Sequence, residues 1–172
     1  MIIETERLIL RQIEISDSEK LLNIMNKETM YAWEHGFSEN DVNEHIEKNQ
    51  KKYLDYGIGF YTVILKDTDE IIGQIGLMKM EKDKYDGGWI IGNKYWRNGY
   101  AFEGVKAFFE YGFNELNLDV IYAEIKHKNE ASVRLAKKLG MKIIGETVKN
   151  YRGKEMPHTV FSVSKKDFYS TT

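Results

Sequence analysis

Residues 94–113 read KYWRNGYAFEGVKAFFEYGF, a glycine-containing loop that turns into an amphipathic helix. Ala101, Val105, Phe108, Phe109 and Gly112 recur at helical spacing and give one buried stripe. The first N–H groups of a helix lack intrahelical partners and carry partial positive charge, so such a start suits an anion. Trp96-Arg97-Asn98-Gly99-Tyr100-Ala101 also fits an ordinary loop closing onto a core helix, and this stretch alone does not separate the two.

The flanking sequence supplies the frame. Tyr85 to Gly92 reads as a strand feeding straight into the loop. Asp119 to Lys126 follows as another strand, with Val120 and Tyr122 on one side and Ile121, Ala123 and Ile125 on the other. Asn129 then caps a helix running through Leu139, with Gly140 as its left-handed C-terminal residue. Upstream, Arg7 to Ile13 alternates as a first strand, and Ser16-Asp17-Ser18-Glu19 reads as a capping box for a helix with Leu21, Leu22, Ile24 and Met25 inward. Ser38 with Asp41 caps a second helix, traced by Val42, Ile46, Asn49 and Tyr53 and ended by Gly57 and Gly59. Phe60 to Lys66 and Glu70 to Met80 form a hairpin about Asp67-Thr68-Asp69. Met141 to Lys149 and His158 to Lys165 close the chain as a second hairpin around Tyr151-Arg152-Gly153-Lys154, with Pro157 at its edge.

The order β-α-α-β-β-β-α-β-α-β-β predicts an α+β fold, a mixed, mostly antiparallel sheet of about seven strands flanked by about four helices. Residues 1–172 are expected to form one domain. Two helix starts then fall at the same end of the sheet, where ligands bind.

Composition narrows the function. Lysine plus arginine (25) nearly balance aspartate plus glutamate (27), and a net charge of −2 argues against non-specific nucleic-acid binding. The absence of cysteine removes thiolate nucleophiles and sulfur-ligated metals, and the four histidines form no metal-spaced pair. No apolar run approaches ~20 residues, so the expectation is a soluble cytoplasmic protein with no membrane, metal or nucleic-acid partner.

A second stretch decides between the two readings of the loop. Asn129-Glu130-Ala131-Ser132, continuing to Lys138-Leu139-Gly140-Met141, lies about thirty residues beyond Trp96 to Ala101. Together with Glu4-Thr5-Glu6-Arg7-Leu8-Ile9-Leu10-Arg11, these motifs resemble the GNAT (Gcn5-related N-acetyltransferase) superfamily, in particular its RimJ/RimL-like branch. The element order matches that family from end to end.

The resemblance implies that Asn98, Gly99, Tyr100 and Ala101 present main-chain N–H groups to the pyrophosphate of acetyl-CoA. Arg97 is either a phosphate partner or a solvated arginine. Ile90 and Ile91 fall on the strand that meets the pantetheine arm. Asn129 caps its helix, binds pantetheine, or does both; Ser132 is either the acid for the leaving sulfur or a serine bonding local backbone. Glu103 is assigned no chemistry beyond that of an acid favoured near a helix N-terminus.

The implied reaction is direct attack of an amine on the thioester, without metal or covalent enzyme intermediate, with a main-chain N–H near Ile91 holding the oxyanion. For the base, Asp86 ranks ahead of Glu34, with His35 beside Glu34 in the same loop. Replacing Asp86 is expected to cost most at acidic pH. The acceptor is an amine on a protein N-terminus, or on a small molecule such as a polyamine, amino acid or aminoglycoside-like compound. A coenzyme-binding sensor of the same fold is the rival from another class. Both a monomer and a homodimer are compatible with the sequence.

Overall fold

The computed structural model describes residues 1–25 and 36–172. Its strands are β1 (Ile2–Glu4), β2 (Leu8–Gln12), β3 (Phe60–Leu65), β4 (Ile71–Lys79), β5 (Tyr85–Ile91), β6 (Val120–Lys126), β7 (Lys142–Tyr151) and β8 (Lys154–Ser164). They form one sheet in the order β1-β2-β3-β4-β5-β6-β8-β7. Every neighbouring pair is antiparallel except β5 and β6. The α-helices among the described residues are α1 (Ser18–Ile24), α2 (Glu39–Tyr56), α3 (Tyr100–Asn114), α4 (Glu130–Lys138) and α5 (Lys165–Thr171).

Strand alternation gives the sheet two working faces. Gln74 and Ile75 are neighbours in β4 and point oppositely: Gln74 bonds His45 of α2 (2.7 Å), whereas Ile75 meets Gly104 of α3. A Cβ on Gly104 would lie 2.6 Å from Ile75 Cδ1, so the missing side chain is what lets α3 lie this close to β4. On the α3 face, Val105, Phe108, Phe109 and Phe113 join Leu8, Leu10, Ile75, Leu77, Ile121 and Phe161 in the main core. On the other, Leu21, Ile24 and Met25 pack with Val42 and Ile46.

Phe108 is fully buried, with its ring edge-on to Tyr61 at 5.1 Å. Phe108→Ala should therefore cost about 3–5 kcal/mol, read as a lower denaturation midpoint at unchanged m-value.

Four local readings differ from the structure. The first helix is preceded by a 3-10 turn (Ile15–Asp17), and its reciprocal cap pairs Glu14 with Asp17 rather than starting at Ser16. Asp17 is needed elsewhere: it accepts two bonds from Arg11 (2.8 Å each) and one from Thr62 (2.9 Å), tying β2 and β3 to the turn. β1 was not expected, since three residues carry little periodicity and its partner β2 lies beyond a turn. α5 was not expected either, although Ser164 caps it through the Asp167 N–H (3.1 Å) and Phe168 anchors it in the core. Pro157 lies within β8, one residue past the ladder with β6, which ends at His158. The strand and helix counts rise accordingly above the expected seven and four.

Candidate active site

The parallel pair at the centre of the sheet does not stay together. All seven residues of β5 pair with β4, but only Asp86 pairs with β6, opposite Tyr122. Beyond Asp86 the two strands part, and a cavity of about 710 Å³ opens at the mouth. Gly92 N–H donates to Ile72 O (2.8 Å), so ladder alternation turns the N–H and C=O of Ile91 away from β4 and into the gap. The Ile91 carbonyl accepts the Trp96 indole N–H (2.7 Å), which leaves the N–H as the group presented to a ligand. Ile91 therefore offers its backbone to the gap, whereas the same alternation turns the N–H and C=O of Ile90 the other way, toward Gln74 of β4; both side chains are buried.

The loop that closes one side is held from a distance. Gly99 is the N-cap of α3 at φ 79°, and Arg97 also has positive φ (64°). The first intrahelical bond runs from Glu103 N–H to Gly99 O, so the N–H groups of Tyr100, Ala101 and Phe102 have no carbonyl behind them within the helix. Arg7 braces this start: its guanidinium donates to Asn98 O (2.9 Å) and Glu103 (2.7 Å) and lies 4.5 Å over the Tyr100 ring. Glu103 also accepts from the Thr5 hydroxyl (2.6 Å) and the Arg7 N–H (2.8 Å). Burial alone would raise the Glu103 carboxyl, but these donors outweigh it and hold it below its ordinary range. Glu103 is thus the anchor of the loop rather than only a helix-end acid.

Arg97, Gly99, Tyr100 and Ala101 line the cavity. Asn98 does not; its amide donates inward to Tyr95 O (3.1 Å) and Trp96 O (3.0 Å), and its carbonyl is taken by Arg7. Its work is to shape the turn. The free helix start, Gly99 and Arg97 together fit the dianionic diphosphate of a coenzyme, and the narrow gap beside Ile91 fits an extended amide arm.

The opposite wall is the start of α4. Asn129 Oδ1 accepts the Ser132 N–H (3.2 Å), so Asn129 is the N-cap. Ser132 Oγ accepts the Trp89 indole N–H (3.1 Å), a bond that bridges the gap from β5 to α4. A hydroxyl that accepts there can still donate its own hydrogen. Local backbone bonding of the serine oxygen is therefore not its main contact.

A smaller cavity of about 260 Å³ adjoins the first, and Trp89, Asn129 and Ser132 line both. Asp86 lines the smaller one; it is 8% exposed, and its Oδ1 has no hydrogen-bond partner among the described residues. Burial pushes the Asp86 carboxyl up to about 7; the Lys149 ammonium opposes this, and the Glu124 carboxylate adds to it. Glu34 and His35 lie outside the described residues.

Sequence reasoning did not single out Trp89, Glu124, Lys149 or His158, all at this second cavity, or the bracing by Arg7. Glu124 was within reach of the pattern, since it alternates with Ile121, Ala123 and Ile125 on β6 and so shares the face of Tyr122. His158 Nδ1 lies 2.8 Å from Met156 O, and a carbonyl only accepts, so that nitrogen carries the hydrogen. Burial lowers the His158 imidazole below its ordinary value.

Comparison with known proteins gives the family. The family described as acetyltransferase (GNAT) domain matches residues 7–142. The uncharacterized N-acetyltransferase YnaD of Bacillus subtilis is 34% identical over 145 residues, covering 83% of each chain. The crystal structure of a GNAT-family acetyltransferase from Bacillus anthracis superposes with a TM-score of 0.84 at 27% identity, over 96% of this chain and 99% of that one. The fold is shared further, at 15% identity, with RimL, a ribosomal L7/L12 α-N-protein acetyltransferase solved with coenzyme A (TM-score 0.81, 95% and 98% covered). The parted central strands and the braced helix start are thus found in a chain that belongs to the GNAT family of N-acetyltransferases.

Proposed function

We propose that the protein transfers the acetyl group of acetyl-CoA directly to a primary amine, with a protein N-terminal α-amine as the leading acceptor. The observation that carries this reading is the meeting of the two cavities at Ser132, with Asp86 buried in the second. Acetyl-CoA would enter along the gap, its diphosphate at Gly99 to Ala101 and its thioester oxygen at the Ile91 N–H. The amine nitrogen attacks the carbonyl carbon, a C–N bond forms, and the oxyanion is held by that N–H. The C–S bond then breaks, Ser132 passes a proton to the leaving thiolate while regaining one from solvent, and the amine's proton passes to Asp86, which returns it to solvent.

Distance decides how Asp86 acts. Rising ~3.3 Å per residue, β5 spans about 13 Å from Asp86 to Ile90, so the proton travels through ordered water. An α-amine of pKa ~7.8 is neutral in roughly one molecule in seven at pH 7, whereas lysine at ~10.4 is neutral about once in 2,500. A relay to a carboxylate titrating near neutrality suits the first and serves the second poorly. RimL, named for acting on an α-amine, shares the fold and points the same way.

The raised Asp86 value changes the pH expectation. Below about 7 the carboxyl is protonated and cannot act as a base, so Asp86→Asn should differ little from wild type in acid. The deficit should open to roughly ten-fold as pH rises through about 7, then close once the amine is itself neutral. Stability should move oppositely. An acid raised from 3.8 to about 7 on folding costs the native state progressively more as pH climbs between those values, up to about 4 kcal/mol. Asp86→Asn should therefore be more stable than wild type at pH 8 and no more stable at pH 4. Rate profiles and denaturation at both pH values check the pair; an unchanged rate profile together with unchanged stability removes Asp86 from the mechanism.

Free thiol released from acetyl-CoA in the presence of N-terminal peptides, amino acids and polyamines tests the reading as a whole. Release with α-amine peptides is expected. Coenzyme binding without release from any amine would instead favour the sensor.

A further inference from the structure

The second cavity already contains a primary ammonium. Lys149, on β7, reaches across β8 to place its Nζ 2.8 Å from Glu124 Oε2 on β6. Both side chains line the cavity with Asp86, and the apolar Phe60 of β3 and Met78 of β4 line it from the other side of β5. Glu124 lies two residues beyond Tyr122, the partner of Asp86, toward the strand end that leads to Asn129 and Ser132. That places it about 7 Å nearer the reacting end than Asp86. Asp86 contributes a buried oxygen, without a partner among the described residues, to the same space.

From this arrangement we infer that Glu124 is the docking carboxylate for the acceptor's ammonium, and that Lys149 holds its place as a displaceable internal substitute. The inference rests on the acetyl-transfer reading, in which this cavity takes the acceptor. An incoming amine arrives mostly as its ammonium ion and needs an anion to receive it before it loses a proton. Glu124 supplies that anion close to the thioester end, and Asp86, further along the groove, takes the proton. Lys149 is 42% exposed, so its stem can swing outward into solvent without unpacking the core. The group recognised is accordingly a primary ammonium, which in the proposed reaction is the protonated N-terminal α-amine; Lys149 supplies the same charge and N–H donors in its absence.

The probe is n-butylammonium, the Lys149 head and stem as a free molecule, titrated into the protein with coenzyme A bound so that no transfer intervenes. Removing a half-exposed internal competitor should tighten binding roughly two- to five-fold in Lys149→Met. That gain should vanish in Lys149→Met combined with Glu124→Gln. Equal affinity in wild type and Lys149→Met, or a gain that survives Glu124→Gln, overturns the inference. Lys149→Gln serves as a second charge-removing variant, and thermal melts establish that each protein is folded. Persistent acetyl transfer with equal affinities would reject the docking role alone. Absence of transfer from wild type to every amine, with the affinities following the expected pattern, would reject the catalytic reading alone.

Discussion

Gly99→Asp should lower coenzyme A affinity by up to roughly a thousand-fold while leaving the protein folded. Two unit charges ~4 Å apart near a protein surface repel by about 4 kcal/mol, which is that factor. The space exists for a side chain: a Cβ at Gly99 would meet only Arg7 Nη2, at an ordinary 3.5 Å. Arg7 donates through Nε to Glu103 and through Nη1 to Asn98 O, and its Nη2, beside the new side chain, offsets part of the repulsion, so a thousand-fold is the upper end of the expected loss. The backbone contributes a smaller effect, because φ 79° is strained for residues other than glycine, asparagine and aspartate. Gly99→Asn separates the two, since asparagine tolerates that conformation and carries no charge. Calorimetry should show near-complete loss in the aspartate variant and a modest change in the asparagine one. Wild-type affinity in a folded Gly99→Asp protein would remove the diphosphate from the α3 start.

Ser132→Ala should lower turnover by roughly ten- to a thousand-fold, the scale of one proton-transfer group, with acetyl-CoA affinity little changed. The expectation rests on the Trp89–Ser132 bond: the indole donates to the hydroxyl oxygen and occupies one of its acceptor directions, so the hydroxyl hydrogen is restricted to the remaining ones. Deleting the oxygen removes the proton for the leaving thiolate and leaves the Trp89 N–H without its partner. Trp89→Phe keeps the hydroxyl and loses only its orientation, so its effect should be smaller than that of Ser132→Ala. Single-turnover kinetics with saturating acetyl-CoA reads the chemical step directly. Wild-type rates in Ser132→Ala would return the serine to a purely structural contact with Trp89.

Much of the scaffold was legible because its signals are local. The stripe from Ala101 to Gly112 lies on α3, Ser38 and Asp41 form the reciprocal cap of α2, and Asn129 caps α4. The turn Asp67-Thr68-Asp69 joins β3 to β4 as its residue types require. Misreadings fell where a residue had a better partner elsewhere. Asp17 was read as part of a serine cap, but Arg11 and Thr62 claim its carboxylate and shift the helix start. Ser164 and Asp167 carried a cap signature for α5, obscured by the strand that runs directly into it.

The sequence alone determined the order of elements from β2 to β8, the glycine at the α3 start and the serine in the first turn of α4, because each follows from backbone preference and spacing over a few residues. The tertiary structure alone decided what those parts face. Arg7 reaches the α3 start across more than ninety residues, and Trp89 finds Ser132 from forty-three residues away. Asp86 looks like a strand-end acid in the sequence; burial brings it to about 7 against the opposing Lys149 ammonium, with the Glu124 carboxylate adding to the rise. Desolvation and Coulomb interactions sum over every neighbour in space, whatever its distance along the chain. A carboxylate's chemistry is therefore set only once the sheet has closed around it.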